Sequence, residues 1–274
     1  MSLRKWGRRS GSSAQLYGLG SAVQAESADA TLKSAHNLQQ PVPGQSSKDY
    51  RNPILTPTTP HGEEMSLRQF STVTELLGKL KADLRLAFPS FVQEFIGDPL
   101  DGVTLLLELL RAVQLSQASQ QTRCPPPVLR RALLDEHSCL QCIRSCLRCP
   151  DAARRLAASP AGLFTLAVCI MSNVSKSRVI ALELLTKACE PPGCGHGPVS
   201  EALSTLRLRF GEPVRFRFLV GMLSSAGGCP ELQAAGVRFL NTLIETAPNP
   251  QSRLYLQAEL EQAGFYVSNI KKVS

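Results

Sequence analysis

The densest group of reactive side chains in the chain is Cys139, Cys142, Cys146 and Cys149, followed by Pro150. Their x2, x3, x2 spacing approaches a zinc or iron–sulfur pattern, although bacterial cluster runs use x2, x2, x3 before the final Cys-Pro. The residues between them keep a helical period. Leu140, Ile143 and Leu147 form an apolar stripe beside the thiols, and Gln141, Arg144, Ser145 and Arg148 take the opposite face. Ten residues of helix span about 15 Å, whereas one zinc needs each sulfur about 2.3 Å away. The four cysteines are therefore expected to be buried small hydrophobes, with no metal and no cofactor.

Nucleophilic chemistry would need a base. The chain has four histidines: His36 and His61 lie near the start, His137 one turn before Cys142, and His196 in the glycine-rich stretch Gly193-Cys194-Gly195-His196-Gly197. No orienting acid accompanies His137, and no Walker loop, dinucleotide fingerprint or serine-triad motif is present. The chain reads as a non-enzyme.

The charge chemistry is more informative. A net charge of +8, carried mostly by arginine, suits an acidic partner surface. Arg130-Arg131, Arg154-Arg155, and Arg207 with Arg209 could meet phosphate. With aromatics at only 5% and none interleaved with the arginines, a nucleic-acid-binding solenoid ranks third among the readings. Nine cysteines without regular spacing fit a reducing compartment. Met1 to Trp6 leads into polar residues rather than an apolar signal core, and Ser2 excludes the usual myristoylation signal. The run Ala161 to Met171 is too short to span a bilayer. A cytoplasmic protein without a membrane span is expected.

These side chains need helices to position them. Residues 1–62, rich in Gly, Ser, Gln and Pro, read as a disordered tail; Arg8-Arg9-Ser10, Thr56-Pro57 and Thr59-Pro60 are phosphorylation-like patterns of a kind that chance supplies. From Ser66, Leu67, Phe70, Val73, Leu76, Leu77, Leu80, Leu84 and Ala87 predict a long amphipathic helix stopped by Pro89. A short helix follows, whose Phe91 and Phe95 are expected to plug the core. Asp98-Pro99 then caps a helix through Leu105 to Leu110. Residues 115–126 read as a loop.

From Leu133 to Glu190 two long helices stand about one repeat apart. The second, capped by Ser175, is apolar almost all round, with Glu183, Lys187 and Glu190 as its polar stripe, so it must be sandwiched. Between them, Pro150 and Pro160 start two shorter helices. Pro191-Pro192-Gly193 and Gly195 to Gly197 form a loop. Helices follow over 199–209, 214–223, 230–246 and 250–263, the last closed by Gly264 and Phe265. Period-two alternation is missing, and leucine-rich inner helices recur at roughly forty residues or somewhat more. The fold class is all-α, an armadillo/HEAT-like α-solenoid over 63–266, with a basic tail over 267–274.

Cys139-Leu140-Gln141-Cys142-Ile143-Arg144, then Ala181-Leu182-Glu183-Leu184-Leu185 and Cys189, resemble without a gap the armadillo part of the formin regulatory region, the GTPase-binding and formin homology three domains. The formin-like subgroup is nearest. Val214-Arg215-Phe216, Phe239-Leu240-Asn241 and Arg253 to Gln257 leading to Gly264 continue the resemblance, and Ser71 to Ala87 with Phe91 to Phe95 resemble the segment ahead of the repeats. It implies a Rho-family small GTPase as partner, and the basic residues Arg144, Arg148, Arg154 and Arg155 are those expected to face its acidic surface. It also implies a C-terminal autoregulatory helix in the concave groove lined by Glu183, Lys187 and Glu190. Leu147-Arg148 stands where the family usually has Met-Asn, and Lys187 and Glu190 put charge where an apolar helix would dock. With no formin-type proline-rich stretch and no actin-assembling domain in this sequence, any actin role is indirect. The runner-up is an armadillo scaffold for another acidic or helical partner.

Overall fold

The computed structural model describes residues 72–120, 126–225 and 229–266. The expected tails at 1–62 and 267–274, and the phosphorylation-like patterns, lie outside the described residues. Among the described residues there are eleven α-helices and no strand.

Helix α1 (Val73–Leu86) begins at Thr72, whose hydroxyl accepts the Glu75 N–H at 3.3 Å. Leu77, Leu80 and Leu84 bury its apolar face. Pro89 opens α2 (Pro89–Ile96), with proline where the first-turn N–H is dispensable. Of the two aromatics of α2, Phe95 packs against the core and Phe91 does not. Val92 and Ile96, four apart, take the buried face, while Phe91 is 41% exposed because it sits a third of a turn away. Phe95 is half-buried and lies against Gly102, where a Cβ would come within 2.2 Å of its ring.

The cap of α3 (Gly102–Gln120) is also corrected. Asp101, not Asp98, accepts the Thr104 N–H at 3.3 Å and the Thr104 hydroxyl at 2.7 Å. Asp98 points outward to Arg155 instead. Helix α3 then runs on through 115–120, which the sequence reading gives to a loop. Its glutamines explain this. Gln114 Nε2 donates to the Thr165 carbonyl at 3.0 Å and Gln117 Nε2 to the Ala132 carbonyl at 3.1 Å, so they tie helices together while keeping reasonable helix propensity.

Helix α4 (Pro126–Cys146) carries three of the four clustered cysteines, and Cys149 precedes α5 (Pro150–Ala157). Then come α6 (Pro160–Cys169) and α7 (Ser175–Cys189). Ser175 is the first residue of α7 rather than its cap, and the Val174 N–H goes to the Ser172 hydroxyl at 3.2 Å. Helix α8 (His196–Phe210) starts inside the expected glycine loop. It can start there because Gly195 comes so close to α7 that its N–H reaches the Ala188 carbonyl at 2.8 Å, and a Cβ would meet that oxygen at 2.9 Å.

The rest are α9 (Arg217–Leu223), α10 (Pro230–Glu245) and α11 (Pro250–Gln262). Gly264 after α11 has φ +93°, and the Phe265 N–H closes on the Leu260 carbonyl at 2.9 Å, the expected glycine C-cap. Leu232, Ala235, Phe239, Leu240 and Leu243 are all buried on α10, as their spacing predicts.

Packing joins these helices into two rows. Helices α1, α4, α7 and α10 contact one another in series, and α3, α6 and α8 form a second series behind them. The first row is parallel. Thr74 meets Asp135 and Arg148 meets Leu84 across α1–α4, and His137 meets Ser177 and Arg144 meets Glu183 across α4–α7. This is an armadillo-like helical stack. Its core, made of leucine, alanine and cysteine with Phe216 and Phe239, is continuous from Leu77 to Leu260.

Candidate partner-binding surface

The cysteine group belongs to the core. Cys139, Cys142, Cys146 and Cys149 are all buried. The Cys142 thiol points at the Leu77 carbonyl, 3.9 Å away, and the Cys149 thiol at that of Pro89, 3.8 Å away. Burial pushes the Cys142 and Cys146 thiols up to about 12 and raises Cys139 as well. A buried thiol whose pKa is raised in this way is a poor nucleophile and a poor ligand. Among the described residues no group of three or more His, Cys, Asp or Glu could hold a metal ion.

The four arginines that the sequence singles out do not form one patch. Arg144 is half-exposed on α4 and pairs with Glu183 of α7 at 3.3 Å. Arg148 reaches back to α1, donating from Nη1 to the Leu84 and Arg85 carbonyls at 3.1 Å each. It satisfies carbonyls at the end of α1 and so fixes the α1–α4 register. Arg154 and Arg155 lie on α5, at an open cleft of about 470 Å³ that Gln93, Ile96 and Gly97 also line. Arg155 bridges Asp98 and Asp101 at 3.1 and 3.3 Å, whereas Arg154 pairs with Asp151 at 2.5 Å and is 61% exposed.

The polar stripe of α7 is where its period predicts. Glu183, Lys187 and Glu190 interrupt a helix whose Ile180, Ala181, Leu182, Leu184, Leu185, Ala188 and Cys189 are buried. Lys187 Nζ pairs with Glu190 at 2.7 Å. The Arg144–Glu183 pair joins this stripe to α4.

His137, which the sequence places one turn before Cys142, turns instead toward α7. His137 is half-buried between Gln141, whose Nε2 donates to the imidazole Nε2 at 3.0 Å, and Ser177 of α7, 3.3 Å from Nδ1. The proton therefore sits on Nδ1, toward Ser177. Burial lowers the basicity of His137, and Lys81 of α1, Lys176 of α7 and Arg144 lower it further. Behind His137, Glu136 is buried, with the Ser172 hydroxyl donating to it at 2.5 Å. Burial raises its pKa above the usual carboxylate value.

Comparison with known proteins sets this surface in context. The family model of the Diaphanous GTPase-binding Domain matches residues 32–190, and that of the Diaphanous FH3 Domain matches residues 196–273. Formin-like protein 1 of Mus musculus is 21% identical over 243 residues, covering 72% of this chain and 22% of its own length. Disheveled-associated activator of morphogenesis 2 of Homo sapiens is 27% identical over 202 residues, covering 70% of this chain and 17% of its own. The chain thus spans about a fifth of the length of these relatives. No described helix is long and apolar enough to cross a membrane.

Proposed function

The chain belongs to the Diaphanous-type formin regulatory family, and from that membership we propose that it is a non-catalytic armadillo module that binds a Rho-type small GTPase. One observation carries the reading: the GTPase-binding family model covers every helix from α1 to α7. We place its role in actin organisation, in the cytoplasm.

Within the predicted contact set the arginines divide by what already holds them. Arg144 and Arg154, with about half and 61% of their side chains in solvent, are the pair that meets the GTPase's acidic surface. Arg148 and Arg155, engaged with helix ends and with Asp98 and Asp101, hold the helices that present that pair. The charges along α7 favour a polar occupant over the apolar face of an autoregulatory helix, because Lys187 and Glu190 would have to be desolvated under it. The runner-up, a scaffold for a different acidic partner, draws its support from this same observation.

The test is capture of purified Rho-, Rac- and Cdc42-type GTPases by the full chain and by its Arg144→Glu/Arg154→Glu variant. We expect the variant to lose about tenfold or more in affinity through charge repulsion with an unchanged thermal melt. Equal capture by both proteins would take these two arginines out of the interface.

A further inference from the structure

From the outer face of α3 we infer that this helix is a self-association surface, whose occupant is a second copy of the same chain lying antiparallel across it. Helix α3 opens the second series of the stack, a place where a helical stack in water needs a polar outer face. The face it presents is not wholly polar. Leu105 is 41% and Leu115 37% exposed, and Ala112 between them is exposed as well. At spacings of seven and three these residues form one stripe of about three turns, or about 15 Å. Leu109, half-buried, borders it.

Charge identifies the occupant. Glu108 and Arg111 stand on one flank of the stripe, three residues apart and so about one turn from each other. Both are exposed, and neither joins an ion pair among the described residues. When two identical helices pack antiparallel about a two-fold axis, the same flank of each meets. Leu105 then lies opposite the partner's Leu115, and Ala112 near the middle lets the two backbones approach. In that register Glu108 faces the partner's Arg111, and Arg111 faces the partner's Glu108. Both charges are answered at once. A parallel copy would bring up the other flank, where Leu109, Val113 and Ser116 carry no charge. A surface of one sign, acidic or basic, would satisfy one of the two residues and oppose the other.

The contact is small. A single stripe of this length buries less than a standard stable interface, so the dimer forms and dissociates with concentration. It uses none of the arginines assigned to the GTPase and none of the polar stripe of α7, so it is independent of GTPase binding.

The experiment is sedimentation velocity of the full chain across the micromolar range. We expect a concentration-dependent equilibrium between monomer and dimer. Glu108→Arg and Arg111→Glu, each alone, should weaken association about tenfold or more, because each sets like charges face to face, and both should keep the parent's thermal melt. Mixed in equal amounts, the two variants should associate with each other as the parent does with itself, since every facing pair is then again of opposite sign. The inference is overturned if the parent stays monomeric throughout the range, if either reversal leaves association unchanged, or if the mixture stays monomeric.

Discussion

At the scale of single residues, what a polar side chain already touches decides what it can still do. Arg144 and Arg148 lie four apart on one helix and look equivalent in sequence. The first makes an exposed ion pair of the kind worth roughly 0–1 kcal/mol, whereas the second ties down two carbonyls at the end of α1. Arg148→Ala should therefore cost about 1–2 kcal/mol in urea unfolding and Arg144→Ala less than about 0.5 kcal/mol; equal losses would refute that division. The histidines set a pH dependence. Burial is the first cause that holds both His137 and His196 below their ordinary 6.5. Their folded values lie below the unfolded one, so each contributes stability that is present above 6.5 and lost as pH falls through the folded value. Glu136 has the opposite sign: raised above 4.5, it contributes stability present below 4.5 and lost as pH rises through its folded value. The Tm should decline on acidification from pH 7.5 to 5.5, and His137→Gln should flatten the decline. A variant that declines as steeply as the parent would show that His137 is not a source.

At the scale of elements, long periodic stretches were legible and short-range punctuation was not. The apolar periods of α1, α7 and α10 and the proline starts of α5 and α6 lie where the sequence places them, because a buried stripe repeats over several turns. The cap of α3 was misplaced because Asp98 and Asp101 are both plausible, and only the tertiary partner Arg155 takes Asp98 out of contention. Asp101→Ala should accordingly lose about 1 kcal/mol in chemical denaturation, more than Asp98→Ala; the reverse order would restore Asp98 as the cap. The glutamines at the end of α3 resembled a loop because their packing partners, Thr165 and Ala132, sit on other helices. Leu184, fully buried at the centre of α7, gives the strongest test of the stack. Leu184→Asp would bury an unpaired carboxylate at a cost on the order of several kcal/mol, abolishing the cooperative melt seen by circular dichroism. Leu208→Asp, at a side chain 70% exposed on α8, should melt like the parent. A cooperative melt in Leu184→Asp would contradict the placement of α7.

At the scale of the whole molecule, the ordered series of short motifs identified the family although no single motif is specific. The surface was harder to read. The sequence names Arg144, Glu183, Lys187 and Glu190, but only the parallel register of α4 and α7 brings Arg144 to Glu183 and His137 to Ser177. Contacts between helices far apart in sequence carry no local signature, so the surface was half legible at best. The direct test of the account is titration calorimetry of the full chain against Rho-, Rac- and Cdc42-type GTPases, each loaded with a GTP analogue and with GDP. The account predicts heat of binding for at least one GTP-loaded protein and none, or far weaker binding, for its GDP form. Absence of binding across the panel, or equal affinity for the two nucleotide states, would contradict it.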